Sequence, residues 1–450
     1  MLTRLLKGSA KLYIGYGVSL VAGFVQLKIL SVRLPMVDLG VYFALQSAVA
    51  LVGELAKAGF PLVFAHFVPR FQAEGRDPRP LAFWSLLGHL TVGLVFGLVA
   101  VWLSKALPGA FARNLPFAVS FFYAMLHYSL ASSFILSSRR PGLYSFLNSA
   151  GAVGYAAGLF FLRNSLTIES ALIAGACSYL ALSVAAWLIL RPVPGRFAQL
   201  KDILGYWKYA VMTTALGPVF TYADRLIAAA FLSYEAVAVF GVARKIETIG
   251  RNILGTPLDL LAPESSYNWL TGDRGEILNQ LRRFTRFYFL WGISVLALIP
   301  LLGKPAILLV SSSGYLSALP YLLVLWAGAT LGTLYYPYTT VARGVGNMRL
   351  FFFSDLIWTG TYLAAALSLT KFLGLWALAT SPLLASVFTL AFARTAVFGY
   401  LGEGRRGFWH EGTAFVLSSA LALAGLINPW WASGAILVCA AYGAWAWLRA

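Results

Sequence analysis

Apolar runs of roughly 20 residues follow one another along this 450-residue chain, joined by short connections that hold most of its Lys and Arg. Coiled as a helix, a run of about 20 residues matches the roughly 30 Å hydrocarbon core of a bilayer. Only 11% of the residues are charged and 60% are hydrophobic, against about 25% charged in a soluble domain, and the mean hydropathy is +0.76. The chain therefore reads as an all-α polytopic membrane protein. Fourteen candidate spans cover 10–33, 38–64, 81–104, 114–138, 143–163, 167–190, 204–231, 236–262, 284–302, 317–342, 350–371, 374–400, 412–427 and 431–448. The thirteenth is the shortest.

The net charge of +18 does not form one exposed block, which argues against nucleic acid as a partner. With the N-terminus inside, the inner connections hold 22 of the 34 Lys and Arg residues and the outer connections hold 6. That bias predicts N-in and C-in topology in a cytoplasmic membrane, with anionic lipid headgroups facing the basic connections. Arg4, Lys7 and Lys11 precede an apolar stretch with no small-residue cleavage site, so the first stretch reads as a span rather than a removable signal. Cys177 and Cys439 lie far apart in apolar segments and outline neither a disulfide framework nor a metal site. Gly303 to Ser317, the longest outer connection, has about 15 residues and Pro263 to Arg283, the longest inner one, about 20, leaving no room for a nucleotide-binding domain. No Walker-type phosphate loop occurs either.

A short internal repeat organises the chain. Gly59-Phe60-Pro61-Leu62 in span 2 matches Gly255-Thr256-Pro257-Leu258 in span 8, an offset of 196 residues from Gly59 to Gly255. Upstream, Leu39-Gly40-Val41-Tyr42 resembles Val237-Ala238-Val239-Phe240 with a two-residue gap. Six spans separate the copies, and an even number preserves orientation, so the halves are expected to be parallel repeats. The expected lobes are 1–200 (spans 1–6) and 201–400 (spans 7–12) around a central cavity, with 401–450 (spans 13–14) as an appendage.

Charge inside four spans marks the candidate functional residues. Span 8 carries a helical stripe of Arg244, Glu247 or Thr248, Arg251, Gly255 and Asp259, with Lys245 beside it. Span 1 carries Gln26 and Lys28, span 2 carries Glu54 and Lys57 at i, i+3, and span 7 carries Asp224 and Arg225. Charge at membrane depth costs at least about 2.5 kcal/mol per residue, so it is kept where helices enclose it or where it lines water. At 1.5 Å per residue, Arg244 lies about 12 Å and Arg251 about 22 Å from the outer end of span 8. Under the repeat, spans 1 and 2 correspond to spans 7 and 8, so these residues converge on related helices. The cations Lys28, Lys57, Arg225, Arg244, Lys245 and Arg251 outnumber the anions Glu54, Asp224, Glu247 and Asp259, which favours an anionic passenger; the planar fork of Arg suits phosphate.

Each feature also has a plainer reading. Glu54–Lys57 and Glu247–Arg251 also read as buried ion pairs with no ligand. Adjacent Asp224 and Arg225 are expected to point apart and to take other partners, and Lys28 to snorkel outward. His89 and His127 read as satisfied packing residues before proton relays. Asp355 reads as a capping or interfacial group. Tyr335, Tyr336 and Tyr338 around Pro337 read as interhelical packing before a sugar-stacking surface. Trp430 and Trp431 read as interfacial anchors. Pro61, Pro218, Pro257 and Pro337 lie inside spans as kinks or hinges. No catalytic constellation stands out, and the outer loops are short for a membrane-embedded glycan polymerase or ligase, so the chain is not expected to be an enzyme.

Several of these segments together resemble polysaccharide repeat-unit flippases of the O-antigen and capsule type, within the multidrug/oligosaccharidyl-lipid/polysaccharide exporter superfamily. They are Leu39-Gly40-Val41-Tyr42, Gly59-Phe60-Pro61, Asp224-Arg225-Leu226-Ile227, Glu235-Ala236-Val237, Ala243-Arg244-Lys245-Ile246 and Ala342-Arg343-Gly344-Val345-Gly346-Asn347. The resemblance spans roughly residues 1–400. It implies two six-helix lobes, a cationic central cavity and alternating access without ATP hydrolysis. It implies an undecaprenyl-pyrophosphate-linked oligosaccharide as passenger. On this chain Lys28, Lys57, Arg225, Arg244 and Arg251 would meet the pyrophosphate. Glu54, Asp224, Glu247 and Asp259 would tune charge or carry a coupling Na+ or H+. No other cofactor and no metal is implied. The expected partners are membrane lipids and polysaccharide-assembly proteins, with the chain itself a monomer. Fourteen spans depart from the twelve of many such flippases and match the lipid II flippases of peptidoglycan synthesis, which stay open as an alternative. A cation-coupled multidrug exporter of the same superfamily is the other alternative; its cavity should be acidic.

Overall fold

The computed structural model describes the backbone of residues 2–103, 109–138, 140–195, 200–270, 272–345, 347–401, 409–428 and 430–448. Within these, the side chains at 2–13, 73, 101, 103, 110, 209, 213, 220, 252–260, 262–264, 266, 267, 270, 348, 409–412 and 446–448 lie outside the description. Among the described residues the chain forms fifteen α-helices and one short 3-10 helix, and no strand. In order they are α1 (Leu2–Arg33), α2 (Met36–Ala56), α3 (Phe60–Ala73), α4 (Arg79–Leu103), α5 (Gly109–Ser137), α6 (Pro141–Phe161), α7 (Ile168–Leu190), α8 (Leu200–Phe231), α9 (Tyr234–Leu270), α10 (Arg274–Val310), a 3-10 turn (Ser313–Ala318), α11 (Leu319–Gly344), α12 (Met348–Leu373), α13 (Leu375–Leu401), α14 (Trp409–Gly425) and α15 (Trp430–Leu448).

Every one of the fourteen expected spans is occupied by helix. The fifteenth α-helix arises because span 2 is not continuous. Among the described residues nine helices are long and apolar enough to cross a membrane, and the chain is a multi-pass membrane protein. The continuous α9 is not among the nine, because Arg244, Lys245, Glu247 and Arg251 crowd its middle.

By contact the chain divides into two compact units, Met1–Ala229 with Ser233–Ala238, and Ala230–Leu232 with Val239–Ala450. In the first unit α5 packs against α2, α3, α4, α6 and α7, and α1 packs along α6. The apolar window of α5 is 61% buried, more than the other apolar spans of its unit. Its face holds Phe121, Leu126, Leu130 and Phe134, all nearly inaccessible. Gln26 of α1 donates to the Ala152 carbonyl of α6 at 2.7 Å, so this polar residue of span 1 joins two helices.

In the second unit α11 holds the corresponding position, 61% buried and packed against α10, α12, α13 and α14. Helices α14 and α15 pair with each other and both rest on α10. Phe289, Ile293 and Ala297 of α10 share one apolar cluster with Ala414, Ala435, Cys439 and Tyr442. Phe289 and Tyr442 meet edge-on with centroids 5.1 Å apart. Cys177 and Cys439 are free thiols.

Candidate functional site

The charged stripe of α9 condenses around one carboxylate. Glu247 sits between Arg244 one turn before it and Arg251 one turn after it, the i, i+3 and i, i+4 positions that share a helix face. Arg244 Nη1 donates to Glu247 Oε2 at 3.0 Å, and Arg251 Nε stands 3.4 Å from Oε1. Thr248 Oγ1 also donates to Oε2, at 3.3 Å. The Glu247 side chain is 1% exposed, Arg244 4% and Arg251 18%. Glu247 is thus shared by two arginines in a nearly dry setting. Arg251 also hydrogen-bonds the Tyr336 hydroxyl of α11, with Tyr335 close enough to act on it electrostatically. The Tyr335 and Tyr336 rings are in contact, centroids 4.6 Å apart. Asp355 of α12 acts on Tyr335 and faces Arg343, so it is tied to this cluster rather than serving as a helix cap. The side chain of Asp259 lies outside the described residues.

The charges of the first unit are arranged differently. Glu54 and Lys57 form a pair at 2.5 Å on the last turn of α2, Lys57 12% and Glu54 38% exposed. Lys57 Nζ also donates to Ser129 Oγ of α5 at 3.2 Å. The helix then breaks inside the expected span 38–64, where Pro61 reads as a kink or hinge. Ala58 has φ of 46° and Gly59 of 73°, both left-handed, and Pro61 stands in the first turn of α3. Proline there loses no helical hydrogen bond and starts the new helix. At Gly59 a Cβ would lie 2.7 Å from the Ala210 carbonyl carbon and 2.8 Å from the Val211 nitrogen of α8. The break frees backbone groups, which need partners wherever they are buried. Trp207 Nε1 supplies one, donating to the Ala58 carbonyl at 2.7 Å.

His89 of α4 lies at the same break, with Nδ1 2.6 Å from the Ser85 carbonyl and Nε2 3.3 Å from the Lys57 carbonyl. This is the packing role expected of it. His127 is buried with its ring 5.7 Å from that of Tyr123.

Asp224 and Arg225 of α8 depart from the expectation that neighbours point apart. Asp224 Oδ1 accepts the Arg225 backbone N–H at 2.7 Å, and Arg225 Nε lies 3.5 Å from the same oxygen. Arg225 also donates to the Thr221 carbonyl at 3.1 Å, with its guanidinium over the Tyr222 ring. The arginine folds back along its own helix because a buried carboxylate one residue away is within reach. Lys28 is half-buried on α1.

The structure therefore joins Arg244, Glu247 and Arg251 in one cluster, Glu54 with Lys57 in a second, and Asp224 with Arg225 in a third. Sequence reasoning passed over Tyr336 as a partner of Arg251, Ser129 as a partner of Lys57, and Trp207 at the break. The Tyr-Tyr-Pro-Tyr run was visible, but nothing in it named Arg251. The resemblance residues Leu39 to Tyr42 are core: Leu39, Val41 and Tyr42 are buried, and a Cβ on Gly40 would overlap the Tyr234 carbonyl. The Tyr42 hydroxyl pairs with that of Tyr155 at 2.5 Å.

Two compact all-helical units, a multi-pass array of spans and charge clusters within them define a fold shared with flippases and transporters of the MOP superfamily. The chain is similar over 97% of its length, and 98% of the other's, to a structure of the lipid II flippase MurJ in an inward closed conformation, with TM-score 0.75 and 12% identity. It is similar to an inward-facing multidrug resistance MATE family transporter of the same superfamily, TM-score 0.69 and 13% identity, covering 86% of this chain and 95% of that one. A third similar structure is a MOP superfamily transporter from Pyrococcus furiosus, described as having a binding pocket of reversed polarity that suggests a different function. Its TM-score is 0.62 at 13% identity, covering 89% of this chain and 96% of that one. No family model matches the sequence. No curated protein matches it by sequence.

Proposed function

We propose that this chain flips an undecaprenyl-pyrophosphate-linked oligosaccharide across the cytoplasmic membrane, N-in and C-in, by alternating access through a cationic central cavity. The observation that carries the reading is the buried Arg244–Glu247–Arg251 cluster, in which two arginines share one carboxylate inside a span. Charge within a span is kept where helices enclose it or where it meets a ligand, and guanidinium forks suit phosphate oxygens. The sugar head and pyrophosphate would cross through the protein while the polyprenyl tail stays in lipid. The energy would come from substrate supply or from a Na+ or H+ gradient, with Glu54, Asp224, Glu247 and Asp259 as the acidic groups available for coupling.

The test is neutralisation of Arg244 and Arg251 together by Gln, read as lipid-linked sugar accumulating on the inner leaflet. Accumulation at unchanged protein level supports the reading; normal export sinks it. A second reading, transport of lipid II, is favoured by the likeness to the MurJ structure over nearly the whole of both chains. Mass spectrometry of the lipid that accumulates when the protein is depleted separates the two: a peptide-bearing disaccharide supports lipid II, a peptide-free glycan repeat the first reading. A multidrug exporter of cationic compounds is disfavoured by the excess of cations (Lys28, Lys57, Arg225, Arg244, Lys245, Arg251) over anions (Glu54, Asp224, Glu247, Asp259) within the expected spans.

A further inference from the structure

Each oxygen of the Glu247 carboxylate serves a different arginine: Oε2 takes Arg244 Nη1 and Oε1 faces Arg251 Nε. Neither pairing is the two-bond fork that a guanidinium makes with a carboxylate or phosphate when geometry is free. The carboxylate is stretched across two cations, held by helix spacing rather than by its own best contacts. The two arginines also differ in access. Arg244 is almost sealed, whereas Arg251 is 18% exposed and reaches the Tyr336 hydroxyl on another helix.

We propose that Glu247 is a resident counter-anion that occupies the seat of the passenger's phosphate. This deepens the flippase reading and rests on it. In the unloaded protein Glu247 makes two buried arginines tolerable. When a phosphate arrives it takes the fork of Arg251, the accessible member, with the Tyr336 hydroxyl as a second donor. Glu247 then lets go of Arg251 and keeps Arg244 and Thr248. On departure Glu247 recloses on Arg251 and displaces the phosphate, so the carboxylate limits affinity and promotes release. A flippase needs that limit, because an anion held by two buried arginines without a competitor would dissociate slowly.

The experiment uses the full chain purified in detergent and inorganic pyrophosphate as probe, with affinity measured by calorimetric titration on the wild type, Arg251→Gln, Glu247→Gln and Glu247→Asp. Glu247→Gln is expected to bind pyrophosphate at least tenfold tighter than wild type, and Arg251→Gln at least tenfold weaker. Glu247→Asp, one methylene shorter, cannot span both arginines and is expected to fall between wild type and Glu247→Gln. It carries the test if Glu247→Gln is not monodisperse. If Arg251→Gln weakens binding but neither Glu247 variant tightens it, the counter-anion proposal is overturned and the phosphate site stands. If wild type binds no pyrophosphate, or Arg251→Gln binds it equally well, the phosphate site itself fails and the proposal with it.

Discussion

The same Gly-x-Pro signal is written into two helical segments and produces two different backbones. At Gly59-Phe60-Pro61 the chain enters left-handed geometry at Ala58 and Gly59 and starts a new helix. At Gly255-Thr256-Pro257 the helix α9 runs through from Tyr234 to Leu270. The charges nearby differ in the same sense. Before the break Glu54 pairs with Lys57, one for one, while on the continuous helix Glu247 is shared by Arg244 and Arg251. A local motif permits a break; a donor from elsewhere, Trp207 on the Ala58 carbonyl, satisfies a backbone group that it frees. The one-to-one pair reads as structure, and the carboxylate shared by two arginines as the place to seek a ligand.

Substitutions can break that contrast or sharpen it. The largest effect is expected from comparing Arg244→Gln/Arg251→Gln with Lys57→Gln in an export assay. The double change removes two buried charged partners at about 1.5–3 kcal/mol each, so export should fall on the order of 100-fold or more, while Lys57→Gln should cost about tenfold or less. Equal losses would erase the distinction between the one-to-one pair and the shared carboxylate.

Next comes Gly59→Ala, expected to lower stability by about 2–4 kcal/mol, because left-handed geometry costs an L-residue about 1–2 kcal/mol and the new Cβ meets the α8 backbone. Gly255→Ala, in a helical backbone where alanine is favoured by about 0.5–1 kcal/mol, should melt no lower than wild type; paired thermal melts in one detergent decide it. Trp207→Phe should cost about 1–3 kcal/mol by leaving the Ala58 carbonyl without its donor, and melting unchanged from wild type would show that another donor holds the break.

A double-mutant cycle on Glu54 and Lys57 should give a coupling below about 1 kcal/mol, because the Glu54 side chain is 38% exposed. Smallest of all is the loop pair Asp77–Arg79. The Arg79 side-chain hydrogen bond holds the Asp77 carboxyl below its usual range. Its folded-state pKa is depressed, so its contribution is present above the ordinary carboxylate pKa and fades as pH falls through the depressed value. Asp77→Asn should remove that slight acid dependence from the melting profile, leaving a flatter curve below pH 4.

Much of the fold was legible because lipid leaves so few options. Each apolar run long enough to cross a bilayer is a helix, down to the short α14. The Arg244–Glu247–Arg251 cluster was also legible, since helix periodicity alone puts positions 244, 247 and 251 on one face. Which of the two Gly-x-Pro sites breaks was not, because nothing local separates Gly59-Phe60-Pro61 from Gly255-Thr256-Pro257, and Pro61 and Pro257 alike read as kinks or hinges. Nor was the pairing of Asp224 with Arg225: sequence neighbours on a helix diverge, and only burial of the carboxylate draws the arginine back.

By itself the sequence determined that the chain is helical, crosses the membrane repeatedly and carries more positive than negative charge within its spans. Those outcomes follow from run length, helical period and the cost of charge in lipid, which are local or additive. Tertiary structure decided where the helices break, which polar groups meet across helices, and that Arg251 faces Tyr336 while Lys57 faces Ser129. Such pairings join side chains from different helices, and their distance is set by how helices pack rather than by any spacing along the chain.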